Sequence, residues 1–300
     1  MDPNPPSLEE TKPRLPGEAV PPTPCSSYNS KRECEAANCY WWGNSCHSIP
    51  EPSEGRLKKW RPCPPGTGIT VKGGLGRGTF GAVVLKNGMK KILSNNHVLA
   101  AFGRVAIGSP VYQPPYSTGD VLAHLESFIP IKSDADNFVD CALASPVSQD
   151  DITPSIIMKS NSYTPSFIPK GVGKAYVNEK LVKSGSSSGY TKGEVYSTDS
   201  TVQVAGVSNE IYTFKHIIVA SKSLASPGDS GSLFVDETTL EAVGLCFAGS
   251  NNTSAACDIQ SILGALGCTL YTEGVPTPPK ETYIKATSSP SNASIWLKKH

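Results

Sequence analysis

Long apolar runs are missing from this chain. No uninterrupted stretch approaches the roughly 18 residues that a membrane helix needs, so no membrane span is expected. The first 24 residues, MDPNPPSLEETKPRLPGEAVPPTP, carry nothing like the apolar segment of a signal peptide. Either export does not use that route or a leader has already been removed. An excess of one charge is missing as well. The 27 Lys and Arg stand against 26 Asp and Glu, a formal net charge of +1. That balance removes the electrostatic case for a nucleic-acid partner or an anionic membrane surface. No repeat of fixed period is visible, which argues against a solenoid or propeller. There is no C-x-x-C pair, so the usual zinc spacing is absent and neither a metal nor another cofactor is expected.

Turn formers are abundant: 27 Gly and 26 Pro in 300 residues, which favours many short strands over long helices. From about residue 69 the runs ITVKGG, GAVVLKNG, KKILSN, RVAIGSPVYQ, FVDCALAS, KGEVYS, TVQVAG, IYTFKHIIVAS, SGSLFV and EAVGLCFAG follow one another. Most are separated by Gly, Asn, Ser or Pro. This is the texture of a β-sandwich or barrel. LKNGMK predicts a tight hairpin, because Asn-Gly tolerates two successive positive φ angles. Only HVLAAF and IQSILGALG read as helix. The predicted organisation is a disordered Pro-rich N-terminus (1–24), a Cys-rich module (25–50), a linker (51–68), an all-β domain (69–272, halves meeting near 150) and a poorly ordered tail (273–300).

Five of the nine cysteines lie between residues 25 and 63. Cys25, Cys34, Cys39 and Cys46 crowd a segment too short for a core of its own, and read as a disulfide module in an oxidising, extracellular setting. A zinc site with His47 is the competing reading. Tyr40, Trp41 and Trp42 are either the small core of that module or a contact surface for a glycan or peptide. Cys63 is a candidate tether between linker and main domain. Cys141 and Cys246 read as buried thiols. Cys257 and Cys268 are placed to pair with each other, or one of them with Cys63. Asn251, Asn252 and Asn292 sit in N-x-S/T patterns.

The stretch SASPGDSGSLFV places Ser230 among Pro227, Gly228, Asp229 and Gly231. A plain turn would account for it. A nucleophilic serine would also need this backbone, with glycines permitting unusual dihedrals and N–H groups converging on a developing oxyanion. Such a serine needs a base. Among His47, His97, His124, His216 and His300, only His97 falls where an apolar strand ends and a short helix begins, in KKILSNNHVLAAF. Asp140, in DNFVDCALASP, stands at the mouth of a buried strand, where a carboxylate needs a partner. Holding an imidazole ring N–H would satisfy it and fix the useful tautomer. Asp134 and Asp136 compete, but lie in a polar loop. Capping or turn roles remain the plain alternatives for His97 and Asp140.

NNHVL, VDCALA and PGDSGSLF occur in the order His, Asp, Ser, with gaps of 43 (97 to 140) and 90 (140 to 230) residues. In that order and spacing they resemble a chymotrypsin/trypsin-like serine peptidase. VKSGSSSGYTKGEV (182–195), GTFGAVV and VGLCFAGS resemble the bacterial-type trypsin-like branch, a group similar to the plant narrow-leaf protease. The resemblance covers about residues 69–272 and not the Cys-rich module. It implies two packed six-stranded antiparallel β-barrels with the site between them. It implies a serine endopeptidase with His97, Asp140 and Ser230 as triad and the N–H groups of Gly228 and Ser230 as oxyanion hole. The partner is then a protein or peptide substrate. The specificity pocket would fall at Leu224, Phe247, Ala248 and Gly249, where no acidic residue stands, so a small or apolar side chain is expected rather than Lys or Arg. Ser186 and Ser188 depart from the branch's Arg and Thr, with an effect expected on a loop rather than on the chemistry. No I-V-G-G start is present, so activation by a buried new N-terminus is not expected, although residues 1–68 could form a removable pro-segment. Two alternatives remain at this level: a catalytically silent scaffold that binds protein or glycan, and a peptidase limited to self-processing.

Overall fold

The computed structural model describes residues 55–274 except 159–164, 207–209 and 251, together with residues 29–30, 32–33, 40–42, 45–47, 283–287 and 294–298. Cys25, Cys34 and Cys39 lie outside the described residues, and of Cys46 only the strand that carries it is described. That strand, β2 (Ser45–His47), pairs antiparallel with β1 (Tyr40–Trp42). The first half of the main domain runs β3 (Gly68–Val71), β4 (Gly78–Thr79), β5 (Ala82–Lys86), β6 (Met89–Ser94), α1 (Asn96–Leu99), β7 (Pro110–Tyr112), β8 (Val121–Phe128) and β9 (Ala142–Pro146). The second runs β10 (Lys180–Gly185), β11 (Gly189–Ala205), β12 (Ile211–Ser221), β13 (Leu233–Asp236), β14 (Ala242–Gly249), β15 (Thr253–Asp258), α2 (Ile259–Leu266) and β16 (Thr269–Leu270). A final antiparallel pair, β17 (Tyr283–Thr287) with β18 (Ser294–Lys298), lies in the segment that reads from sequence as a tail.

The second half closes into a six-stranded barrel, β10-β11-β12-β15-β14-β13. The first is an eight-stranded curled sheet in the order β16-β5-β6-β9-β8-β7-β3-β4. The two strands beyond the expected six, β4 and β16, have two residues each. β16 returns from the C-terminal side of the second barrel to add an edge to the first sheet, which ties the halves together.

Alternation builds three apolar layers, because successive strand residues face opposite sides of a sheet. Val83, Ile92, Ala142 and Ala144 face the interior of the first sheet. Their neighbours Ala82, Val84, Leu93 and Leu143 face outward, and meet Val182, Leu233, Val235, Leu245 and Phe247 from the second barrel. Leu181, Ile218, Ala220, Phe234 and Val243 fill the interior of that barrel. The large buried surface is therefore the one between the halves, and it fixes the geometry of any site built across them. The Asn-Gly turn forms as expected: Lys86 pairs with Met89, and Asn87 and Gly88 take φ of +52° and +75°.

Residues 55–67 read as linker from their Arg, Lys and Pro, but they pack as a strap on the domain. Arg56 is buried, donating from Nη1 to Gly66 O at 3.0 Å and Ser184 Oγ at 2.7 Å, and from Nη2 to Ile157 O at 3.2 Å. Gln113 clasps the same strap, accepting from Trp60 N and donating to Lys58 O. Cys63, Cys141, Cys246, Cys257 and Cys268 are all free thiols, so none of the pairings considered for them forms. Placement separates Cys63, in the first sheet's core, from Cys257 and Cys268, which both pack in the layer between the halves and are each free there. Burial pushes the Cys63 and Cys246 thiols up to about 12. Among the described residues no helix is long and apolar enough to cross a membrane.

Candidate active site

β6 pairs with β9 so that Ser94 faces Ala142. Continuing that register by two places sets Asp140 opposite Asn96, beside His97. The chain after β6 turns into the single turn of α1, whose first N–H groups have no intrahelical partner. Asp140 supplies one. Its Oδ1 accepts from the His97 backbone N–H at 3.2 Å, and its Oδ2 lies 2.5 Å from His97 Nδ1. The Asp140 side chain is 2% exposed and the His97 ring 17%. Asn95 donates from Nδ2 to the Asp140 carbonyl at 2.7 Å, and the Asp140 N–H donates to Cys257 Sγ at 3.3 Å. The carboxylate is thus buried, oriented and aimed at one ring nitrogen, leaving Nε2 facing away from it.

The helical reading of HVLAAF holds only as far as Leu99. Ala101, Phe102 and Gly103 take φ of +48°, +60° and +82°. This left-handed run swings the Phe102 ring back to stack on His97, with centroids 5.9 Å apart, and on Tyr212 of β12 at 5.0 Å. Arg104 pairs with Glu210 at 2.9 Å on the same hairpin. The second barrel thereby braces the loop behind the histidine.

Ser230 sits in the turn before β13, against the end of β4. Its carbonyl accepts from Thr79 N at 2.7 Å. Gly231 takes φ +92°, and a Cβ there would fall 2.2 Å from Ser94 Oγ and 2.4 Å from Thr79 O. Ser94 is three residues before His97, so the close approach that only glycine allows sets the Ser230 turn on the strand end that carries the histidine. Gly228 takes φ +89°, and its carbonyl accepts from Thr79 Oγ1 at 2.9 Å and Ser186 Oγ at 2.8 Å. The N–H groups of Asp229 and Gly231 are bonded inward, to Ser226 O and Cys246 O; those of Gly228 and Ser230 carry no hydrogen bond among the described residues.

Asp229 is held more firmly than any other group in the turn. Its side chain and that of Lys183 are both fully buried, 2.7 Å apart. Oδ1 also accepts from Ser187 N at 2.9 Å and Ser188 N at 3.1 Å, and Oδ2 from Ser226 N at 3.0 Å and from the Ser188 hydroxyl. Burial works to raise the pKa of this carboxyl, but the Lys183 ammonium and then the hydrogen bonds outweigh it, leaving it below the ordinary carboxylate range. Ser186 and Ser188 are therefore directly behind the Ser230 turn, which corrects the expectation that their departure from the family pattern concerns only a loop.

The four candidate pocket residues do not share one surface. Leu224 is inside the second barrel, whereas Phe247 is in the layer between the halves, its ring 4.8 Å from Phe214, with Ala248 in the same layer. Gly249 pairs with Ser254 at the end of β14.

Solved structures match this arrangement over most of the chain. A Nocardiopsis protease superposes with a TM-score of 0.54 at 21% identity, covering 70% of this chain and 98% of its own. Thermobifida fusca protease A gives 0.51 at 19% over the same shares, and a Cellulomonas bogoriensis chymotrypsin gives 0.50 at 20%. The fold is that of the chymotrypsin-like serine proteases. No family model matches the chain, and no curated protein sequence matches it. At these identities the likeness establishes the chymotrypsin-like fold alone. Lys183 and Arg77 are the site neighbours that the sequence reading passed over. Lys183 follows buried Leu181 and Val182 directly in β10, yet lysine is a surface side-chain type, and Arg77 reads as part of a glycine-rich loop.

Proposed function

We propose that this chain is a serine endopeptidase that hydrolyses peptide bonds through Ser230, His97 and Asp140. The observation that carries this reading is the His97–Asp140 pair, 2.5 Å apart with the carboxylate buried, at the strand end on which the Ser230 turn is seated. In this mechanism Ser230 Oγ adds to the peptide carbonyl carbon while its proton passes to His97 Nε2. The C=O electron pair moves onto oxygen, where the N–H groups of Gly228 and Ser230 receive it. His97 then gives the proton to the leaving amine, and water repeats the sequence on the acyl-enzyme. Asp140 holds the imidazole tautomer and stabilises the imidazolium.

Lys183 supports activity without processing. It supplies from within β10 the cation that holds Asp229, so the turn does not wait for a freed N-terminal ammonium. No acidic residue stands at Leu224, Phe247, Ala248 or Gly249, which favours a small or apolar substrate side chain over a basic one. Extracellular work is proposed from the N-terminal cysteine cluster alone. The test is hydrolysis of a peptide amide library and of an unfolded protein by wild type, Ser230→Ala and Asp140→Asn. Ser230→Ala should be inactive, and Asp140→Asn should lose activity on the order of 10⁴-fold. Equal hydrolysis by wild type and Ser230→Ala would remove this reading.

A further inference from the structure

Arg77 is a buried cation that the reaction above does not use. It is 4% exposed. Its Nη2 donates to Ser187 Oγ at 2.7 Å, and its Nε is buried without a partner. No carboxylate pairs with it among the described residues, whereas Lys183, the other buried cation at this turn, is matched by Asp229. The guanidinium stands directly under Gly228. A Cβ on Gly228 would lie 3.1 Å from Arg77 Nη2, 3.4 Å from Nε and 2.2 Å from Ser187 Oγ. The side chain is thus fixed against the backbone of Gly228, whose N–H carries no hydrogen bond among the described residues and is the donor that the proposed reaction assigns to the oxyanion.

A buried charge without a counter-charge is costly, and a protein retains one at a loss in the resting state. The loss is recovered only when negative charge arrives nearby. That arrival is the catalytic event: Ser230 Oγ bonds to the carbonyl carbon, its proton goes to His97, and the C=O pair becomes an alkoxide beside the Gly228 N–H. An interaction absent in the ground state and present in the transition state lowers the barrier rather than strengthening substrate binding. We propose that Arg77 is an electrostatic positioning residue of the oxyanion site, acting through the Gly228 backbone on the developing alkoxide. This rests on the serine peptidase reading and deepens it.

The experiment compares full-length wild type, Arg77→Gln, Arg77→Lys and Ser187→Ala in kcat and KM on one peptide amide, and in binding of a peptidyl trifluoromethyl ketone, whose Ser230 adduct carries a permanent oxyanion. Arg77→Gln is expected to lower kcat by about ten- to a hundredfold with KM little changed. Its ketone affinity should fall in parallel, and the adduct alkoxide should titrate about one pH unit higher, the equivalent of a tenfold change. Arg77→Lys should retain most of the activity because it keeps the charge. Ser187→Ala, which leaves the guanidinium but frees it to move, should lose kcat in the same direction and by less. A raised KM with unchanged kcat would overturn the proposal and make Arg77 a substrate contact. So would losses that follow the folded fraction across the three variants, with Arg77→Lys no better than Arg77→Gln. Wild type that neither cleaves the amide nor forms the adduct would refute the peptidase reading and this inference with it. Activity in wild type and an unaltered Arg77→Gln would refute this inference alone.

Discussion

Replacing Lys183 with methionine should damage both stability and the serine turn, and the structure sets the scale. The Lys183 ammonium and Asp229 carboxylate are 2.7 Å apart with no solvent exposure. At an effective dielectric of about 20 their attraction is about 6 kcal/mol, most of it offset by the cost of taking both ions from water. Removing one partner withdraws the attraction and leaves the desolvation cost, so Lys183→Met should lose about 3–5 kcal/mol at neutral pH. The pH dependence carries the sign. In wild type the Asp229 pKa is depressed, so its contribution is present above the unfolded carboxylate value and lost as pH falls through the folded one. In Lys183→Met the same carboxyl is buried without its cation and is raised instead. The deficit of the variant should then shrink as pH falls and Asp229 protonates. Because Asp229 adjoins Ser230, active-site labelling should slow as well. Chemical denaturation at pH 5 and pH 8, with Asp229→Asn and the double variant completing a cycle, measures the coupling. A cost below about 1 kcal/mol at pH 8, or a deficit that grows as pH falls, would refute the reasoning.

Other consequences concern groups around the same turn and strap. Gly231→Ala should be inactive and strongly destabilised, since its Cβ would fall 2.4 Å from Thr79 O at φ +92°, and thermal unfolding with peptide hydrolysis checks both. Glu179 is raised to about 7 by burial, by its hydrogen bond with Asp236 and by the charges of Asp236 and Glu241. A raised carboxyl contributes stability below its unfolded value that is lost as pH rises through about 7, so Glu179→Gln should raise the Tm at pH 8 and leave it little changed at pH 4. Arg56→Met should leave Gly66 O and Ser184 Oγ without their donor, Ile157 O keeping the Ser184 hydroxyl, and cost about 2–4 kcal/mol in denaturant unfolding.

Much of the site was legible because its chemistry is local in sequence. The strand-then-helix break at Ser94–His97, the carboxylate before the apolar run at Asp140, and the glycine pair around Ser230 each carry a backbone signature. The runs GAVVLKNG, KKILSN and FVDCALAS likewise read as strands in the sequence and form β5, β6 and β9. What escaped is charge that tertiary packing buries. Lys183, Arg77 and Arg56 carry the commonest surface side-chain types, and nothing in VKSG, GLGRG or EGRLKK marks them as interior. The strap reads as linker because its contacts come from Gln113, Ile157 and Ser184, far along the chain. The two-residue strands β4 and β16 are too short for any periodicity to show, which is why the sequence implies six strands where the first sheet has eight.

The most direct measurement is the intact mass of the full-length protein after incubation with a fluorophosphonate, for wild type, His97→Ala and Ser230→Ala. One adduct on wild type, mapped to Ser230, strongly slowed in His97→Ala and absent from Ser230→Ala is the expected result. A folded wild type that takes no adduct, or one labelled as fast without His97, would contradict the account.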